Sequence, residues 1–189
     1  MSKRAFDFAA CLVALPFAVP LCLVLMILIR LESRGSPIFV QHRIGLGRKP
    51  FRMLKLRTMA AGTAEVASHH VEPGRITRVG RILRKLKLDE LPQLLNVLTG
   101  SMSLVGPRPC LASQTELIDA RESRGVFKYR PGITGPAQLM GVDMSQPTRL
   151  AEIEAEYFSR SNPWRDLKLI LATSLGQGIG DAVPHYRDN

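Results

Sequence analysis

Residues 8–29 form an unbroken apolar run without a single charge. At roughly 22 residues it is long enough, as a straight helix, to cross a hydrocarbon core of ~30 Å. A cleaved signal peptide is one reading, and Ser2-Lys3-Arg4 supplies its basic start. The run is too long for that, and no small-residue cleavage site follows it. An ordinary spanning helix is the second reading. Two features argue against a simple crossing. Pro16 and Pro20 sit near the middle of the run, where each removes a backbone hydrogen bond and bends a helix. Lys3 and Arg4 precede the run while Arg30 and Arg34 follow it, so positive charge gives no orientation. A helix that enters, bends at the prolines and returns to the same face satisfies both observations, provided the freed backbone groups are satisfied within the bend. The flanking charges are few, and on charge alone the re-entrant and spanning forms both stay open.

The rest of the chain reads as one continuous domain, residues 36–189, following a membrane segment of residues 1–35. A chain of 189 residues is long enough to bury a real core. Lys plus Arg number 26 against 16 Asp plus Glu, a formal net charge of +10. That balance suits an anionic partner: nucleic acid, a lipid surface or phosphorylated small molecules. Cys11, Cys22 and Cys110 have neither disulfide nor zinc spacing, which fits a reduced, cytosol-facing body.

Taken in order, residues 36–58 predict a β-hairpin. Strand formers run from Pro37 to Arg43, turn residues from Gly45 to Pro50, and alternating apolar and basic residues from Phe51 to Arg57. The alternation is expected to put Arg52, Lys55 and Arg57 partly on one side, with the apolar side on a helix. Residues 59–72 read as a solvated loop, and the pair His69-His70 has no third ligand at useful spacing. A basic helix is expected over residues 76–88, with Val79, Ile82, Leu83 and Leu86 at helical spacing. Further helices are expected over residues 110–122, 150–160 and 164–175, the last led by Trp164 and suited to a membrane interface. The Gly- and Pro-rich run from Tyr129 to Gln138 positions backbone rather than filling a core.

Between the basic helix and Gly100 lies Leu86-Lys87-Leu88-Asp89-Glu90-Leu91-Pro92-Gln93. Asp89 is expected to cap a helix, with Pro92 in its first turn and Thr99-Gly100 at its end. Adjacent carboxylates at a helix start are common capping chemistry. Here they stand among Arg75, Arg78, Arg81, Arg84, Lys85 and Lys87, which would keep a carboxylate ionised and attract an anionic substrate.

Five stretches together resemble the bacterial sugar transferase family, the small monotopic phosphoglycosyl transferases, in their catalytic-domain-only form. They are Phe39-Val40-Gln41-His42-Arg43-Ile44-Gly45, Lys55-Leu56-Arg57-Thr58-Met59, residues 88–97 around Asp89-Glu90, Gly100 through Gly106-Pro107-Arg108-Pro109, and Arg130-Pro131-Gly132-Ile133-Thr134-Gly135. They occur in family order. The resemblance implies a largely helical α+β fold. It comprises a re-entrant helix–break–helix, one β-hairpin and interfacial amphipathic helices around a cytosolic active site at the bacterial inner membrane. It implies transfer of a sugar 1-phosphate from a UDP-sugar to polyprenol (undecaprenyl) phosphate, releasing UMP. Asp89 is implied as nucleophile, with Glu90 beside it and Mg²⁺ at the diphosphate, Asp89 being its protein ligand. The bend maps to Pro20, preceded by Val19 where the family often has Ser, and Pro16 is additional. After Gly135 the chain reads Pro136-Ala137-Gln138-Leu139-Met140-Gly141-Val142, without the family's frequent Asn and Arg, so no sugar is named.

The chemistry is sound on its own terms. Breaking a diphosphate needs a nucleophile, charge neutralisation and a leaving phosphate. Arg84 and Arg108 can grip phosphate oxygens, and Lys55 adds a point charge. Mg²⁺ favours a carboxylate plus substrate phosphates over an all-protein cage. Downstream glycosyltransferases would take over the product; a homodimer is left open and nucleic acid is not expected. The rival is a non-catalytic, membrane-anchored basic module that binds anionic lipid or nucleic acid, which gives no reason for carboxylates in the most basic region.

Overall fold

The apolar run folds as α1, Lys3–Glu32, in a computed structural model that describes residues 2–60, 75–175 and 177. The Ser2 side chain caps α1 by accepting from the Ala5 amide, and the helix ends at Ser33. Where a helix–break–helix is expected, helical backbone runs unbroken through Pro16 and Pro20. The prolines stand four residues apart. Each lacks the N–H that its i−4 carbonyl would accept, so bonds are lost on one line of the helix while the bonds around it persist. At 1.5 Å per residue, its 30 residues span about 45 Å if straight.

One stripe of α1 is buried: Asp7, Cys11, Ala18, Leu25 and Ile29, spaced by one or two helical turns. Cys11 and Ala18 pack with Met53, Leu94, Val97 and Met102, while Leu25 and Ile29 pack with Leu56 and Leu83. The remaining sides expose Phe8, Leu12, Val13, Phe17, Val24, Ile27 and Leu31. Both ends of the helix are tied to the body. At its start, Arg4 donates to the Val97 and Leu98 carbonyls, buried Asp7 accepts from Ser103 Oγ and the Leu104 amide, and Lys3 pairs with Asp166 at 2.6 Å. At its end, the Glu32 carboxylate accepts from the Arg78 and Val79 amides, and Arg57 donates to the Ser33 and Arg34 carbonyls.

The hairpin forms as expected, with β1 Ile38–Ile44 antiparallel to β2 Pro50–Leu56. Its register pairs Phe39 with Lys55, Gln41 with Met53 and Arg43 with Phe51. By strand parity those six residues share one face, so Lys55 and Arg57 lie with Met53, whereas Arg52 lies on the opposite face. The expected grouping of all three cations is therefore split. Buried Asn96 fastens β2: its side chain donates to the Arg52 carbonyl at 2.8 Å and accepts from the Leu54 amide at 3.0 Å.

The basic helix is α2, Arg78–Lys85, shorter than expected because the Thr77 hydroxyl caps it and the backbone turns at Leu86. The dyad follows, then α3, Gln93–Thr99, which closes on Gly100 in the left-handed region, φ 87°. Gly avoids the Cβ clash there. A second, parallel pair of short strands was not anticipated: β3 Ser103–Val105 beside β4 Gly132–Thr134. Gly106 and Gly132 meet so closely that a Cβ on Gly132 would lie 2.0 Å from the Gly106 nitrogen. The remaining helices are α4 Thr115–Ser123, α5 Pro136–Leu139, α6 Pro147–Ser159 and α7 Pro163–Ser174. The first three of these contribute to a second core of Cys110, Leu117, Ile118, Phe127, Ala137, Val142 and Leu150. Most of the expected 59–72 loop, with His69 and His70, and the tail after Gly176 except Gln177 lie outside the described residues.

Candidate active site

The dyad is presented by a sharp turn rather than by a helix cap. Lys87 takes a left-handed conformation, φ 57° and ψ 21°, and Leu88–Glu90 form a single 3₁₀ turn. The expectation that Asp89 caps an α-helix is corrected: α3 begins at Gln93, with Pro92 before it and no side-chain cap. Leu91 and Pro92 already have helical backbone angles, and the missing Pro92 N–H costs nothing there. The turn sets both carboxylates inward. Asp89 is 4% exposed and Glu90 is 7% exposed.

Two cations from different parts of the fold reach one oxygen of this turn. Lys55 Nζ on β2 lies 3.5 Å from Glu90 Oε1, and Arg108 Nη2 on the turn after β3 lies 3.3 Å from the same atom. Lys55 and Glu90 are both buried, where a charge persists only with such partners. Together with Arg43, Met53, Gln93, Pro109, Gly132 and Ile133, these residues line a cleft holding about 230 Å³ of empty space, part of it open to solvent. Glu90 is the carboxylate in the cleft wall; Asp89 is its immediate neighbour in the turn. Burial pushes the Lys87 ammonium pKa down; nearby Glu90 works against this and Arg108 adds to it.

Of the residues expected from sequence, the structure thus brings Lys55, Glu90 and Arg108 into contact, with Asp89 adjacent. Arg84 points elsewhere: its Nε donates to Thr58 Oγ1 at 2.8 Å, and its buried Nη1 has no partner among the described residues. Pro16 and Pro20 belong to the middle of α1, away from the polar contacts at its ends. Three polar residues near or in the cleft went unremarked as site residues: Gln41, Arg43 and Gln93, all buried. The signal available for the first two is the Gln-x-Arg spacing on β1, which puts both side chains on the face that carries Lys55.

The arrangement can hold an anion. Among the described residues no group of three or more His, Cys, Asp or Glu side chains forms a metal cage. Glu90 Oε1 meets two cations, and Asp89 stands next to it as the second carboxylate of the turn. One protein carboxylate plus substrate oxygens suits Mg²⁺.

A family model described as bacterial sugar transferase matches residues 1–177. The UDP-glucose:undecaprenyl-phosphate glucose-1-phosphate transferase of Caulobacter vibrioides is 42% identical over 184 residues, covering 92% of this chain and 68% of that protein. The UDP-N-acetylgalactosamine-undecaprenyl-phosphate N-acetylgalactosaminephosphotransferase of Aeromonas hydrophila is 36% identical over 178 residues, covering 90% of this chain but 42% of that protein. The exopolysaccharide production protein ExoY of Rhizobium meliloti is 39% identical over 193 residues, covering 92% of this chain and 84% of its own. The chain therefore belongs to the bacterial sugar transferase family.

Proposed function

We propose that this chain moves a sugar 1-phosphate from a UDP-sugar to a polyprenol phosphate such as undecaprenyl phosphate, the first membrane step of polysaccharide assembly. The observation that carries the reading is the convergence of Lys55 and Arg108 on Glu90 beside Asp89 in one cleft. An Asp89 oxygen attacks the phosphorus that bears the sugar. The bond from that phosphorus to the bridging oxygen breaks, and UMP leaves with the electron pair. A polyprenol phosphate oxygen then attacks the same phosphorus and expels the Asp89 carboxylate, giving a polyprenyl diphosphate sugar. Arg108 and Lys55 offset the charge that builds on the phosphoryl oxygens. Asp89 would hold Mg²⁺ when the ion is bound, and the ion would supply further charge neutralisation.

The test is UMP release from a panel of UDP-sugars with undecaprenyl phosphate and Mg²⁺. Formation of UMP and a lipid-linked sugar is expected with at least one donor, and excess EDTA is expected to stop it. A basic binding module without catalysis would yield no UMP from any donor, and full turnover in EDTA would remove the divalent ion from the mechanism.

We place the site at the cytosolic face of the bacterial inner membrane, with α1 re-entrant. Support comes from the polar contacts that tie both ends of α1 to one body. A spanning helix of this length would have to carry Lys3, Arg4 and Asp7 to the far side, away from Asp166, α3 and β3. Exposed apolar residues on α7 and α2 and at their C-terminal caps (Trp164, Leu171 and Leu175; Ile82 and Leu86) add surface that suits an interface. Cys at position 2, in a chain whose own cysteines are replaced by Ser, is expected to resist a membrane-impermeant thiol reagent in intact cells and to react after lysis. Labelling in intact cells would establish the spanning form.

A further inference from the structure

Lys55 and Arg108 meet the same oxygen, yet they belong to segments more than fifty residues apart in sequence. Lys55 is on β2, whereas Arg108 is on the Gly106-Pro107-Arg108-Pro109 turn. A gap between two such segments is fixed only if something bridges them. On one side the turn is held by the β3–β4 pair: the Gly106 amide donates to the Thr134 carbonyl and the Gly132 amide to the Pro107 carbonyl, both at 2.9 Å. On the other side stands the hairpin. There the Ile44 amide donates to the Cys110 carbonyl at 2.9 Å, and Arg43 Nη1 donates to the Pro109 carbonyl at 3.2 Å.

Arg43 is itself oriented. Its Nε and Nη2 both donate to Gln41 Oε1, at 3.0 and 2.7 Å. The two residues are two apart on one strand, so their side chains share the face that carries Lys55. Arg43 is 8% exposed and lines the active-site cleft. It is thus a side chain in the cleft wall that links the Lys55 hairpin to the Arg108 turn. A planar guanidinium can donate to an amide oxygen along one edge and to a carbonyl from its remaining nitrogen. A lysine ammonium has neither the fork nor the rigidity for both.

We infer that Arg43 is a positioning residue of the transfer reaction: oriented by Gln41, it fixes the Arg108 turn through the Pro109 carbonyl so that Arg108 and Lys55 meet at Glu90. This rests on the transferase reading given above. Its effect falls on charge offset in the transition state rather than on donor binding.

The test compares wild type, Arg43→Lys, Arg43→Ala, Gln41→Ala, Arg108→Ala and the Arg43→Ala/Arg108→Ala double variant. Arg43→Lys and Arg43→Ala are expected to lower kcat for UMP release at least tenfold with KM for the UDP-sugar within twofold, and Gln41→Ala to follow in part. Added guanidinium ion is expected to restore part of the Arg43→Ala loss. In the Arg108→Ala background, removing Arg43 is expected to cost less than a further twofold. Multiplicative losses in the double variant would mean that Arg43 acts on substrate directly, and would overturn the positioning role. So would an unchanged kcat in Arg43→Lys. Amide hydrogen exchange gives a readout independent of activity: the Gly132 amide, bonded to the Pro107 carbonyl, is expected to exchange at least fivefold faster in Arg43→Lys. If Arg43→Ala does not fold, the Lys and Gln41 variants decide. If wild type releases no UMP from any donor, the transferase reading fails. The exchange rates then decide alone whether Arg43 fixes the turn, unchanged rates overturning it.

Discussion

Asp89→Asn is expected to abolish UMP release and to leave no sugar-phosphate on the enzyme, even with donor alone. The amide keeps the size and loses the negative charge and most of the nucleophilicity, so the attacking group goes while the turn stays. On the two-step route UMP is released before the acceptor binds, and initial-rate lines at varied acceptor are parallel. Mass spectrometry of wild type incubated with UDP-sugar alone should show the adduct on the peptide carrying residues 89 and 90. Fragmentation must place it, because the two carboxylates are adjacent and the cleft wall is formed by Glu90. An adduct on Glu90 would exchange the roles. Asp89 is the carboxylate that the family resemblance implies as nucleophile, while Lys55 and Arg108 both meet Glu90 Oε1. Glu90→Gln is expected to be severe too, because it would take a shared negative charge away from buried Lys55 and half-buried Arg108. Intersecting rate lines, with no adduct and no UMP in the absence of acceptor, would mean direct transfer, with Asp89 as a metal ligand only.

The parts of this site that were legible in the sequence are those encoded locally. Strand formers around a Gly-rich turn specify the hairpin, and Thr99-Gly100 specifies the end of α3. The Asp89-Glu90 pair stands out because two carboxylates interrupt a basic region. The dyad's backbone was not legible. A capping residue and a 3₁₀ turn have the same composition here, and the left-handed Lys87 that distinguishes them has no residue signature, since a non-glycine residue seldom adopts positive φ. Parity along β2 was readable in principle, and strict alternation would have put Arg52 opposite Lys55. The β3–β4 pair escaped because three-residue strands carry no periodicity. It is recorded only in the glycines, Gly106 and Gly132, whose backbones touch. Arg43 was visible as part of a recognised stretch, but its role depends on a carbonyl sixty-six residues away, which no local pattern announces.

The same limit applies to the largest expected change in stability, Glu154→Ala. Arg121 on α4 and Glu154 on α6 are each 1% exposed, and their side chains meet in a fork, Nε to Oε2 at 2.8 Å and Nη2 to Oε1 at 2.6 Å. Thirty-three residues separate them, so neither reads as a partner from sequence. Arg121 also lines a second, shallow cleft, which shares Arg108 and Pro109 with the active site. The pair therefore stands behind the turn that presents Arg108. Removing the carboxylate strands a guanidinium where water does not reach, at a cost of about 3–5 kcal/mol. For a chain of this size that is a fall in apparent Tm of roughly 6–20 °C, at 2–4 °C per kcal/mol. The pair itself is another matter, because desolvating two charges offsets most of their attraction. The double variant Arg121→Met/Glu154→Leu keeps the volume and strands no charge, and it is expected to recover most of the lost Tm. Thermal unfolding of wild type, the single variant and the double variant in one detergent separates the two effects. A double variant as unstable as Glu154→Ala would show that the fork's geometry, rather than the avoidance of a lone buried charge, holds α4 against α6. A single variant within about 1 kcal/mol of wild type would mean that water reaches Arg121 after all, as at an exposed pair.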